Sequence, residues 1–318
     1  MEGLFLSPLI TGLVLPLLRL VGVMAVSLIV AQALETFRWT EYIANLAVPL
    51  VRRAHLSALS GASFSLSFAS PSAANAVLAE GLVERKIGRR ELIIANVMNS
   101  TPAFFVHLPT LLAMAWSFLE IHALAYVGLL FFAAALRTLG AVVAGRIMLA
   151  APEEERSLPV PTARIGTFRS MLTRFRKRLT KICLFTIPVY CFIFFLQQAG
   201  AFSVMEAWLA AHMGALFFLH PGALGLVILF VAAESNAAFA AAAALIAGGT
   251  ITPEQAVIAL LTGNILSSPM RAFRHQLPSY SGFFSPPTAW LLVSVNQSLR
   301  AATLILALAV YCLWVQPL

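Results

Sequence analysis

The sequence predicts an all-α polytopic membrane protein made of two inverted repeats. Each repeat has about three transmembrane helices, one of them broken, plus a re-entrant helical hairpin and an interfacial helix. Three observations predict this: the composition, an order of apolar segments that runs twice, and the placement of the basic residues. Of the 318 residues, 60% are hydrophobic and 11% charged, with a mean hydropathy of +0.88. Soluble domains carry about 25% charged residues. At about 20 apolar residues per crossing, the length holds roughly six or seven spans with their loops. All 13 acids are glutamate. That excludes phosphoryl-aspartate pumps, aspartyl proteases and Mg²⁺ sites of Walker type that rely on Asp.

The first span covers residues 9–34. Residues 38–54, with Glu41, Arg52 and Arg53 among apolar neighbours, read as an amphipathic interfacial segment. Residues 56–82 are apolar but rich in serine and are interrupted at Pro71. Two half-helices meeting at Ser70-Pro71-Ser72 fit this stretch, since neither is long enough to cross alone. A charged turn, Glu84 to Arg90, leads into a span at 91–119 broken by Asn99-Ser100-Thr101-Pro102, and a further span at 123–150. These make a first repeat of residues 1–150. Residues 151–181 form a basic cytoplasmic linker, and 152–181 carry eight of the 21 basic residues.

The second repeat, 182–318, keeps the order. A span at 182–198 and an amphipathic segment at 205–219 precede a hairpin at 221–249, interrupted by Glu234-Ser235-Asn236. A broken span at 254–280, with its break at Ser267-Ser268-Pro269, and a last span at 288–314 complete it. Residue matches support the repeat. Ser72-Ala73-Ala74-Asn75 pairs with Ser235-Asn236-Ala237-Ala238, and Ser100-Thr101-Pro102 with Ser267-Ser268-Pro269. His107-Leu108-Pro109 is echoed around His275, and Leu136-Arg137 in Leu299-Arg300, all at shifts of 163 to 169 residues. A re-entrant hairpin does not cross, so three full spans per half turn the second half upside down. Charge agrees: 16 of the 21 basic residues fall in the segments this topology places inside, 38–53, 85–90 and 146–181. Both termini are then outside, in a multi-pass protein of the cell's inner (plasma) membrane. The net charge of +8 reads as this orientation signal, not as nucleic-acid binding.

Inverted repeats with broken helices suggest a transport site, because interrupted backbone at membrane depth needs protein, water or a ligand to satisfy it. The polar residues at the four breaks are therefore candidate substrate ligands: Ser70, Ser72 and Asn75; Asn99, Ser100 and Thr101; Glu234, Ser235 and Asn236; Asn264, Ser267 and Ser268. The competing reading is that their side chains only satisfy freed backbone groups. Glu234 follows the apolar run 223–233. It reads either as a proton, cation or polar-solute site, or as a carboxylate at the outer mouth. Arg271, with Arg274 and His275, either meets an anionic substrate or snorkels to the inner interface. Arg137 and Arg300 are expected to brace helix termini or a carboxylate. Cys183, Cys191 and Cys312 lie in apolar runs without a CxxC, as inert thiols do. The N-terminus lacks a basic region and cleavage site, so no removable signal peptide is expected.

The stretch Ser70-Pro71-Ser72-Ala73-Ala74-Asn75, the basic turn to Arg90, and Asn99-Ser100-Thr101-Pro102 through His107-Leu108-Pro109 resemble the Gate, or nucleoside-recognition, membrane domain. The layout recurs from Gly248-Gly249-Thr250 through Ser268-Pro269. The resemblance covers the two hairpin and broken-span units, about half the chain, and implies a transport or gating role. That family includes membrane domains of ferrous-iron transporters, spore-maturation proteins and relatives of concentrative nucleoside transporters. Serine and threonine stand where the iron-transport relatives have cysteine, so ferrous iron is not the expected cargo. The expected function is a secondary transporter or permease for a small polar or ionic solute, with H⁺ or Na⁺ as coupling ion and no cofactor. Its partners are that solute and the lipid bilayer, with self-association left open. A non-transporting scaffold is the alternative. An intramembrane enzyme is less favoured, because HExxH and GxSxG are absent.

Overall fold

The computed structural model describes residues 9–18, 21–22, 25–26, 49–68, 70–151, scattered positions between 172 and 199, 219–232 and 235–315. Among these the regular structure is all helical. Glu234, most of the 151–181 linker, residues 38–48 and residues 205–218 lie outside the described set, as do the side chains of Ser235, Arg274 and His275.

The serine-rich segment makes a hairpin of α1 (Ala58–Ser67) and α2 (Pro71–Val83). Both start at serine caps: Ser57 Oγ accepts from Ser60 N, and Ser70 Oγ from Ala73 N. Pro71 then occupies the first helical turn, where its missing N–H costs nothing. α3 (Arg89–Met98) and α4 (Ser100–Leu119) are two parts of one path, interrupted at Asn99. Pro102 supplies no N–H to the carbonyl of Met98, so the regular ladder breaks there. A short 3₁₀ turn leads to α5 (Ala123–Met148).

The second half has the hairpin α6 (Leu224–Ala232) and α7 (Ser235–Ala247), followed by α8 (Pro253–Leu266). α8 opens on a capping box, in which Thr252 Oγ1 accepts from Gln255 N and Gln255 Oε1 from Thr252 N. The path breaks at Ser267 and continues as α9 (Ser268–Arg271), a π-helical turn (Ala272–Gln276) and α10 (Leu277–Ser281). α11 (Pro286–Val315) closes the described chain.

Each hairpin joins its broken helix through the same turn. Arg85 and Gly249 both take left-handed backbone, at φ 57° and 68°. Lys86 N donates to Gly81 O and Thr250 N to Leu245 O, both at 2.9 Å and both spanning five residues. The following Ile87 and Ile251 are buried at 4% and 5% exposure, completing the hydrophobic contact of this cap. Glycine takes this backbone freely at 249; at 85 an arginine bears the small cost.

Two buried clusters lie at opposite ends of α5 and α11. One joins Phe64, Leu78, Leu92 and Met98 of the first hairpin and α3 to Ala141 of α5 and Leu292 of α11. The other joins Phe230, Phe239 and Leu260 of the second hairpin and α8 to Tyr126 of α5 and Tyr311 of α11. α5 therefore runs from the second cluster to the first, and α11 runs back. Small residues set the close approaches. Ala238, Ala240, Ala241 and Ala242 of α7 are fully buried, and a side chain on Gly145 would overlap the Ala54 carbonyl.

Two helical stretches, Arg89–Met148 and Pro286–Val315, are long and apolar enough to cross a membrane. At 30 residues α11 spans about 45 Å, more than the ~30 Å of a hydrocarbon core. Phe131, Phe132, Leu139 and Ile147 of α5, and Ile305, Leu306, Val310 and Leu313 of α11, stand exposed. The first-cluster end carries exposed Arg52, Arg53, Arg85, Lys86, Arg89, Arg90 and Arg146. The other end holds Glu120 and a His122–Glu254 pair at 3.0 Å.

Candidate functional site

Between the two clusters lies a cavity of about 630 Å³. Its wall takes residues from the first hairpin, both broken helices, α5, α6, α7 and α11. The polar side is built around two asparagines, Asn96 and Asn264, each three residues before its break.

Asn264 is 4% exposed, with both its amide oxygen and its amide nitrogen hydrogen-bonded. Its Oδ1 accepts from Arg271 Nη2 at 3.1 Å and Arg300 Nη2 at 2.6 Å, and its Nδ2 donates to Tyr126 Oη at 3.1 Å. Arg271 Nη2 also donates to Ser267 Oγ at 2.7 Å. Asn96 has the corresponding arrangement without charge. Its Oδ1 accepts from Tyr280 Oη at 3.3 Å and Asn296 Nδ2 at 2.5 Å, and its Nδ2 donates to Asn75 Oδ1 at 3.2 Å. Each asparagine thus ties its own break to side chains from the other half of the chain. Beside them Gln297 Nε2 donates to Gln276 Oε1 at 2.6 Å, bringing the π turn against α11.

Six of the candidate ligands line the cavity: Asn75, Asn99, Ser100, Asn264, Ser267 and Arg271. The others do not. Ser70 caps α2, and Ser72 is exposed on its outer side. Thr101 turns to α5, where its hydroxyl donates to Ala134 O at 3.1 Å and bonds Thr138. Ser268 is buried with its hydroxyl directed to Asn264 O, and Asn236 is half-buried outside the lining. Glu234 and the Ser235 side chain fall outside the described residues. Asn96, Tyr126, Gln276, Tyr280, Asn296 and Gln297 are not among the candidate ligands expected from sequence, and Arg137 and Arg300 are expected to brace helix termini or a carboxylate in preference to binding substrate. Arg300 donates to the neutral amide of Asn264, and both arginines line the cavity. Asn96 could have been found by extending the repeat match three residues back from each break. Asn296, Arg300 and Leu304 share one face of α11 by their four-residue spacing.

Five buried side-chain polar atoms among the described residues have no hydrogen-bond partner: Asn99 Oδ1, Ser100 Oγ, Arg137 Nε, Gln297 Oε1 and Arg300 Nη1. All five belong to residues that line this cavity. A buried unpaired polar atom costs about 1–3 kcal/mol, and native proteins keep few of them. Asn99 is otherwise held by its Nδ2, which donates to Ser63 Oγ at 3.0 Å, and Ser63 donates on to Ala74 O. The apolar part of the lining is aromatic and aliphatic, with Phe104, Leu111, Met114, Phe230 and Phe239. No group of three or more His, Cys, Asp or Glu among the described residues could hold a metal ion.

No protein-family model matches the chain, and no solved structure matches it. An uncharacterized protein of Methanocaldococcus jannaschii is 27% identical over 266 residues, covering 81% of each chain.

Proposed function

We propose that the chain is a multi-pass membrane transporter, a secondary permease that carries a small polar or ionic solute through the cavity by alternating access. The observation that carries this reading is the cavity itself: about 630 Å³, lined by the breaks of both halves and by all five residues that hold an orphaned buried polar atom among the described residues. Solute sites of this volume are common, and polar groups left unpaired inside a protein are not. The reading includes two inverted repeats. The antiparallel run of α5 and α11, the hairpins at opposite ends and the repeated left-handed turn all support it. The basic end then faces the cytoplasm. The Gate-domain resemblance carries the same implication. A scaffold protein, the alternative, would fill the space between its hairpins with packed side chains, and the open cavity favours transport.

Reconstitution into proteoliposomes tests this. Uptake of at least one solute from a panel of nucleosides, amino acids, carboxylates and metal ions is expected, above empty vesicles and driven by an imposed H⁺ or Na⁺ gradient. Absence of uptake for the whole panel under both gradients would sink the transport reading.

A further inference from the structure

We propose that the solute recognised here carries an oxyanion, a carboxylate or phosphate, on a small organic body with an apolar part. This rests on the reading of the cavity as a solute site and names the chemistry that the site selects. Arg271 and Arg300 donate through Nη2 to one and the same atom, Asn264 Oδ1. Two guanidinium groups sharing a single neutral acceptor stand close together in a medium that screens poorly. Arg137 adds a third to the same cavity wall, and no carboxylate stands among the described lining residues. Positive charge gathered this way at membrane depth is costly unless a negative partner arrives.

The unpaired donors show what form that partner takes. Arg300 Nη1 and Arg137 Nε are buried without acceptors, while Asn264 occupies Arg300 Nη2. N–H groups of this kind match the oxygens of a carboxylate or phosphate, which accept two parallel bonds from an arginine fork. Ser100 Oγ, also unpaired, adds a hydroxyl donor at the N-terminal turn of α4, the positive end of a 20-residue helix. Phe104, Leu111, Met114 and Phe230 of the same lining are a surface for the apolar remainder of the solute. A naked inorganic anion would leave that surface bare.

Glu234 is the one residue of the second hairpin whose charge could compete for the arginines, since it follows Phe230 and Val231, which line the cavity. The experiment includes it for that reason. Purified full-length protein is titrated with phenyl phosphate, benzoate, benzamide, benzylamine and inorganic phosphate, and binding is read by thermal shift and calorimetry. Phenyl phosphate or benzoate is expected to bind at least tenfold more tightly than benzamide, benzylamine or inorganic phosphate. Arg300→Gln should lose at least tenfold of that affinity, and Arg300→Lys should fall between, because it keeps the charge and loses the fork.

Preference for benzamide or benzylamine, or binding to none of the five, overturns the proposal, and this series needs no variant to fold. Full affinity in a folded Arg300→Gln protein also overturns it. So does anion binding that appears only in Glu234→Gln, which would assign the arginines to Glu234. Uptake of a neutral or cationic solute without anion binding would leave transport standing and remove the oxyanion. Anion binding without uptake of that anion would do the reverse.

Discussion

Ser100 and Thr101 are adjacent hydroxyl residues at the first break, and packing gives them different tasks. The Thr101 hydroxyl is used up on Ala134 O and Thr138 of α5, while Ser100 belongs to the cavity lining and its Oγ is unpaired. Thr101→Val should therefore cost about 1 kcal/mol of stability, read as a lower melting temperature, and leave solute affinity unchanged. Ser100→Ala should leave the melting temperature almost unmoved and weaken solute binding several-fold. The reverse pattern would show that the two hydroxyls had been assigned the wrong way round. From the sequence alone both were equal candidates, because one residue step on a helix turns a side chain by about 100° and only the neighbours decide which direction is the cavity.

At the scale of elements, α5 and the segment before α1 meet at Gly145. The approach is too close for any side chain, since a Cβ would overlap the Ala54 carbonyl. His55 Nδ1 lies 3.2 Å from Leu149 O in the same contact. Gly145→Val must push the two backbones apart and should cost about 2–3 kcal/mol, seen as lower yield and melting temperature. Gly140→Ala in the same helix meets open space and should be neutral or stabilising by up to about 1 kcal/mol. Equal behaviour of the two variants would remove the close contact from the account. The hairpins and their breaks were legible from proline, serine and span length, because these act through the local backbone. The π turn at Ala272–Gln276 was not, since an extra residue in a helical turn leaves no mark in composition.

For the whole molecule, the basic end and the opposite end define an orientation that can be measured. On a background with Cys183, Cys191 and Cys312 replaced, Lys86→Cys should label from the cytoplasmic side only. Ala247→Cys, at the end of α7 just before the matching turn of the other half, should label from outside only. Both positions are exposed. Labelling of both from the same side would remove the inverted arrangement, whatever the solute.

Sequence by itself determined the all-helical class, the two hairpins, the interruptions and the segregation of charge. Apolar length, proline, capping residues and basic turns act locally or additively and need no partner to be read. Tertiary structure alone decided which polar groups meet. Asn264 finds Tyr126 across 138 residues of chain and Arg300 across 36, and Asn96 finds Asn296 across 200. Those pairings depend on how each helix is rotated against its neighbours, which is set by the two buried clusters at the ends of α5 and α11. Rotation also leaves Arg137 Nε and Arg300 Nη1 unpaired in the cavity. The arginines were visible in the sequence, and their shared site became visible only in the fold.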